Sequence, residues 1–202
     1  GNTYTISNIT SGKTCSITFK SSTPTLYAKL LADKTTRPDR GRFSSVLTTD
    51  NTKTLYTGTE NGTTVYYFAG NATDNWVKFG KNASNQDLYW RIIRTNSDGS
   101  VRLLYHGTST TATNAYIGTS KFNNSYNNIA YVSYMYGNLG SVANARANTT
   151  NSTIKTTIDN WYTSNLEAKG YTKYLSTTAV YCNDRTYTVS GSNTLFGAYT
   201  RL

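Results

Sequence analysis

Histidine and methionine each occur once in this chain of 202 residues, and cysteine and proline twice each. With one histidine, any Ser-His-Asp or Cys-His mechanism must run through His106. That residue follows an apolar run and precedes Gly107, a strand-end position where a structural role is the commoner one. No CxxC pair or Cys/His cluster is present, so the usual zinc-ligand spacings are missing. Cys15 and Cys182 lie far apart in sequence; export would permit a disulfide between them, but spacing alone does not support one. Cys182 stands near Asp184 and Arg185 with no histidine near it in sequence, so a disulfide or buried thiol outweighs a nucleophile. No apolar run approaches the roughly 20 residues of a membrane-crossing helix. Charge is also scarce, at 15% Asp, Glu, Lys and Arg, against about 25% in an average globular chain.

What charge there is leans basic: 20 Lys and Arg against 10 Asp and Glu, a net +10. The cations are scattered singly. Their densest stretch, Lys29, Lys34, Arg37, Arg40 and Arg42 with Asp33 and Asp39, has no stacking ring between Tyr27 and Phe43. It reads as a solvated basic loop rather than a nucleic-acid site, and attraction to anionic cell-wall polymer or lipid fits the same charge equally well. Aromatics reach 13%, with 18 Tyr, which argues against disorder because so much ring surface can be buried. Thr, Ser and Asn make up about four residues in ten. The seven Asn-x-Ser/Thr sequons are what that composition gives by chance and do not signal glycosylation.

Residues 4–20 alternate Tyr4 and Ile6, then Cys15, Ile17 and Phe19, around Ser11-Gly12, the pattern of a hairpin. A lone hairpin is marginal, so residues 1–22 read as the end of a preceding β-module plus a linker, and 23–202 as one domain. Leu26, Leu30 and Leu31 predict a short helix over 25–34, ended before Arg37-Pro38. Strands are predicted at 54–56, 64–69, 76–79, 88–93 and 101–105, the last two joined through an Asp98-Gly99 turn. Residues 107–150 carry no confident element, yet Tyr116, Phe122, Tyr126, Tyr131, Tyr134, Met135 and Tyr136 argue for order there. Ser152 as a cap, with Ile154, Ile158, Trp161 and Leu166, predicts a helix over 152–166, closed by Gly170. Residues 174–181 and 196–202 read as extended.

Tyr89-Trp90-Arg91-Ile92-Ile93-Arg94, the Asp98-Gly99 turn and Val101-Arg102-Leu103-Leu104-Tyr105 resemble a core hairpin of surface proteins of gut Firmicutes. The run Tyr66 to Asn71, Ser152-Thr153-Ile154, Ile158 to Tyr162 and Tyr181 to Arg185 follow in the same order. Residues 24–202 thus resemble C-type-lectin-like modules related to the formylglycine-generating-enzyme fold. The resemblance implies an α+β domain of twisted antiparallel sheets, one or two helices and long recognition loops, displayed on a bacterial surface. Such domains usually continue past Ala198–Leu202 to a further Trp-containing loop and strand, so the resemblance also implies an incomplete C-terminal end. The copper-binding cysteine pair of the formylglycine-generating relatives has no counterpart close together here, so their activity does not carry over. Asn183-Asp184 is similar to the calcium ligands of sugar-binding lectins, although an oxygen-rich calcium site needs six to eight ligands.

Tyr, Asn and Ser together make adaptable binding surfaces, with flat rings for contact and amides for hydrogen bonds. An AT-rich genome would push composition the same way. The sequence-based expectation is therefore a non-catalytic, extracellular or cell-surface recognition module for glycan or a cell-surface protein, with no nucleic acid and no membrane span. Its candidate ligand-binding residues are Trp76, Tyr116, Tyr126, Tyr131, Tyr134, Asn183, Asp184 and Arg185, in loops 107–150 and 183–195 and beside them. No cofactor is expected, with calcium at Asn183 and Asp184 the one exception considered. The alternatives are a glycan hydrolase using Asp74 or Asp87 near Trp76, and a purely structural module of a surface fibre.

Overall fold

A computed structural model describes residues 7, 11–12, 23–40, 46–124, 134–138, 141–145, 147–179, 181, 188–190 and 193–195. The expected hairpin at 4–20, the pairing of Cys15 with Cys182, and the strand at 196–202 lie outside the described residues.

The predicted first helix is present as α1 (Leu26–Asp33). The Thr25 hydroxyl accepts from the Ala28 N–H at 3.1 Å, satisfying one of the free donors of the first turn. Leu26 and Leu30, one turn apart, turn toward the sheet, and the helix ends where Lys34 leaves helical geometry. Three short pairings follow. Thr36 and Asp39 bridge in parallel to Thr54 and Thr57, and β1 (Asp50–Asn51) runs parallel to β4 (Asn71–Ala72). The buried Asn51 side chain locks this corner, donating to the carbonyls of Thr54 and Ala69 and accepting from the Thr54 N–H.

The main sheet has five strands: β2 (Tyr56–Glu60), β3 (Thr63–Tyr67), β5 (Trp76–Lys81), β6 (Asp87–Thr95) and β7 (Val101–Tyr105). All pairs in it are antiparallel. Asn61 and Gly62 both take positive φ in the two-residue β2–β3 turn, the geometry that such tight hairpins need. The long central β6 meets β5 and then β3 on one edge, and β7 on the other. Register shifts interrupt both long pairings, between Lys78 and Lys81 and between Ile92 and Arg94.

Alternation along β6 divides the sheet into two faces. Leu88, Trp90 and Ile92 point one way, toward the helices; Tyr89 and Arg91 point the other. The core forms on the first face, where Ile92 meets Leu30 and Leu55, with Tyr66, Phe68, Val77, Val101 and Leu103 packed around them.

The second predicted helix is α3 (Thr153–Tyr162), capped by the Ser152 hydroxyl on the Lys155 N–H at 3.1 Å. It runs into a single π turn over Thr163–Glu167, in which the Ala168 N–H bonds to Thr163. A short α2 (Val142–Ala145) and the two-residue pair β8 (Met135–Tyr136) with β9 (Thr150–Asn151) supply part of the order expected in 107–150. Residues 172–174 form a 3-10 turn rather than the expected extended start, because Tyr174 and Leu175 bond back to Tyr171 and Thr172. That turn sets both Tyr171 and Tyr174 against Phe79. A hairpin of β10 (Thr188–Ser190) and β11 (Asn193–Leu195) follows. The architecture is mixed α+β and β-rich, with open antiparallel sheets, and no helix among the described residues is long and apolar enough to cross a membrane.

Candidate functional site

Helices α1 and α3 sit over the same face of the sheet and leave a groove of about 870 Å³ between them. Val77, Phe79, Trp90, Val101 and Leu103 supply its floor, Leu26 and Tyr27 one wall, and Tyr162, Leu166, Tyr171 and Tyr174 the other. The size falls within the range of small-molecule clefts, about 300–1,000 Å³. Rings dominate the lining. Phe79 lies 5.7 Å from Tyr171 and 6.1 Å from Tyr174, the latter edge-on. Trp90 meets Tyr105 at 5.3 Å and Trp161 at 6.4 Å. These are the offset and edge contacts that aromatic quadrupoles favour.

The polar atom of the central indole is already satisfied, since Trp90 Nε1 donates to the Phe79 carbonyl at 2.8 Å. Its ring therefore meets the groove as carbon surface. At one end stand Asn96, Ser100 and Arg102; Arg102 Nε donates to Asn96 Oδ1 at 2.7 Å, and the guanidinium lies 4.4 Å from the centre of the Tyr181 ring. Tyr174 and Tyr181 are the exposed rings of the lining, at 66% and 65% of their surface.

The residues expected from sequence fall elsewhere. Trp76 is on the opposite face of the sheet, with the Arg91 guanidinium stacked on it and the His106 ring 4.4 Å away. Tyr116 is exposed. Tyr134 is half-exposed above α3, its phenol pushed up by burial and by the Asp159 carboxylate. No ring contact joins these three residues, and none of them lines the groove. Tyr126, Tyr131, Asn183, Asp184 and Arg185 lie outside the described residues. Among the described residues no three His, Cys, Asp or Glu side chains gather as a metal site.

Sequence reasoning passed over the groove because its rings come from four separated stretches. The signal that could have found it is the matched alternation of Val77-Phe79 and Leu88-Trp90 on paired strands, followed by Tyr171 and Tyr174 just past Gly170.

Both carboxylates weighed for hydrolysis are ion-paired. Asp74 meets Lys34 at 2.7 Å. Asp87 meets Lys81 at 2.9 Å and Lys78 at 3.0 Å, and these ammonium groups hold its carboxyl below the usual range. A general acid needs the reverse shift. Nor is the basic stretch simply solvated: Lys34 is 3% exposed and enclosed by Asp33 and Asp74. Arg37 donates to the carbonyls of Leu31 and Lys34 and lies over the Tyr66 ring. Neutralising partners draw these side chains inward, where an unpaired charge would be costly to bury.

Comparison of the chain with family models, with curated proteins and with solved structures finds no match in any of the three.

Proposed function

We propose that this chain is a C-type-lectin-like recognition module of the bacterial cell surface, and that it binds a glycan. The observation that carries the reading is the ring-lined groove between α1 and α3. A pyranose has a flat face of C–H bonds and an equator of hydroxyls. Phe79, Trp90 and Tyr174 offer carbon surface to the first, and Asn96, Ser100 and Arg102, which bond to one another and to Asp98, make one end of the groove polar for the second. Flat rings on a rigid sheet also lose little freedom on binding, so contact area converts efficiently into affinity. The ion pairs on Asp74 and Asp87 count against the hydrolytic alternative.

The test is a glycan-array screen of the full chain, with and without calcium, beside a heat-denatured control. Saturable binding lost on denaturation and on Tyr174→Ala supports the module. Binding that needs calcium moves the site to Asn183 and Asp184. Silence from a demonstrably folded sample refutes the reading and leaves the structural fibre module.

A further inference from the structure

Arg91 leaves the sheet on the face away from the groove, because its neighbour Trp90 lines the groove and successive strand residues point to opposite sides. It is the cross-strand partner of Trp76 on β5 and of Leu104 on β7, so the three side chains form one row across the sheet. The guanidinium carbon lies 3.6 Å from the centre of the Trp76 ring. Its Nη1 donates to the Ala72 carbonyl at 2.6 Å and to Asn75 Oδ1 at 2.7 Å. Asn75 is itself fixed, being 5% exposed and donating through Nδ2 to the Ile92 carbonyl at 2.9 Å.

The head group is thus held by one nitrogen and one flat face, which leaves Nε and Nη2 without a partner among the described residues. Among the described residues no carboxylate approaches it, whereas Arg94 on the same strand has Glu60 at 3.0 Å. Partial burial works against the charge of Arg91, and an incoming anion would offset that. Leu104, directly across from Arg91 on β7, is exposed at 60%, and the His106 ring meets Trp76, the ring on which Arg91 stacks. Ordinary packing accounts for a stacked arginine. It does not account for a preset, half-buried fork with no described acid beside it and an exposed leucine directly across from it.

We infer that Arg91, stacked on Trp76, is a binding site for the carboxylate of an acidic sugar. The two free donors of a guanidinium match the two oxygens of a carboxylate in one plane. Leu104, exposed directly across from Arg91, takes up the C–H face of the ring that bears it. The net charge of +10 draws acidic ligands toward the chain before contact. This site is separate from the groove, and its ligand class stands whether or not the groove is occupied.

The three tryptophans, Trp76, Trp90 and Trp161, make the test direct, because each indole N–H gives its own NMR signal. The full chain labelled with nitrogen-15 is titrated with glucuronate, glucose, glucose 6-sulfate and inorganic phosphate. The expected result is a saturable shift of the Trp76 indole with glucuronate, with Trp90 and Trp161 unmoved. Glucose should bind about tenfold more weakly or less, as expected when a charge-assisted pair of hydrogen bonds is missing. Arg91→Lys, which keeps the charge and loses the fork, should weaken glucuronate about tenfold. Because Arg91 variants also break its tethers to Ala72 and Asn75, Leu104→Asp serves as a second probe. It places a carboxylate at an exposed position directly across from Arg91 and should abolish the glucuronate shift in a folded protein. Equal response to glucose overturns the inference, as does glucuronate binding that survives Leu104→Asp. Tighter binding of phosphate or the sulfate ester refutes the carboxylate assignment. A glucuronate response confined to Trp90 overturns this site and supports the groove instead.

Discussion

Asn165 Oδ1 accepts a hydrogen bond from the backbone N–H of Ala83 at 2.8 Å, across 82 residues of chain. The same side chain, in the π turn that follows α3, donates through Nδ2 to the carbonyl of Trp161 in the last turn of α3 at 2.8 Å. One buried amide therefore ties the turn beside the groove wall to the β5–β6 connection. Asn165→Ala leaves the Ala83 N–H and the Trp161 carbonyl without these partners, a loss of about 1–3 kcal/mol. In a domain of this size that lowers Tm by about 2–4 °C per kcal/mol. Thermal and urea denaturation would measure it, and a change below about 0.5 kcal/mol, typical of an inconsequential surface site, would show that the tie is unimportant.

Gly80 sits in the register shift between Lys78 and Lys81 at φ +82°, with the Tyr171 ring 3.2 Å from where a Cβ would lie. A side chain there meets both a left-handed backbone and a ring wall. Gly80→Ala is expected to destabilise by about 1–2 kcal/mol from the backbone alone, plus whatever displacing Tyr171 adds. Measured in a Tyr171→Ala background, where the ring contact is gone but the backbone strain is not, the cost of Gly80→Ala should fall only in part. A cost that vanishes there would mean that the ring, and not φ, decides the choice of glycine.

Much of this framework was legible in the residues, and the reason is local. Thr25 and Ser152 cap helices where short polar side chains precede periodic Leu and Ile, and Val101–Tyr105 alternates as an antiparallel strand must. The helix was expected to run on to 166, but the change to a π turn over Thr163–Glu167 was not legible, because the partner of the Asn165 amide lies 82 residues away. The burial of Lys34 was hidden for the same reason: Asp74, which faces it, is 40 residues distant. The Tyr-rich loops drew attention by composition, whereas the groove is assembled by strand register, which composition does not encode.

Four carboxylates are held below their ordinary values. Hydrogen bonds from Lys34 and Lys53 hold Asp33 below its ordinary value, and Lys81 and Lys78 do so for Asp87. Glu60 is lowered by the Ser97 N–H and Asp98 by the Ser100 hydroxyl. A carboxyl whose folded pKa lies below its unfolded one stabilises fully above the unfolded value and loses that as pH falls through the folded value. Stability should therefore decline below about pH 4. At the alkaline end, burial raises Tyr67, Tyr105 and Tyr134. Lys34 is raised as well, since its bonds to Asp33 and Asp74 outweigh the opposing effect of burial. Raised groups stabilise below the unfolded value and cease to do so as pH climbs through the folded one, so a second decline should begin near pH 10. Urea midpoints across pH 2–11 would trace both edges, and an alkaline decline unaffected by Lys34→Met would remove Lys34 from this account.

Tyr174 and Tyr181 separate the groove from the loops as the seat of recognition. Both line the groove and stand largely in solvent, so truncating either removes little folded-state packing. Tyr174→Ala and Tyr181→Ala should each shift Tm by no more than about 2 °C, the range of exposed positions. If a glycan ring stacks there, each should weaken binding about tenfold, or about 1.4 kcal/mol. Tyr116 is the matching control: it is also exposed and tyrosine, yet lies outside the groove. Tyr116→Ala should leave glycan affinity unchanged. The comparison is informative because the three substitutions remove the same side chain from similar exposure, two inside the groove and one outside it. A loss at Tyr116 with none at Tyr174 and Tyr181 would return recognition to the 107–150 loop, as composition alone first suggested.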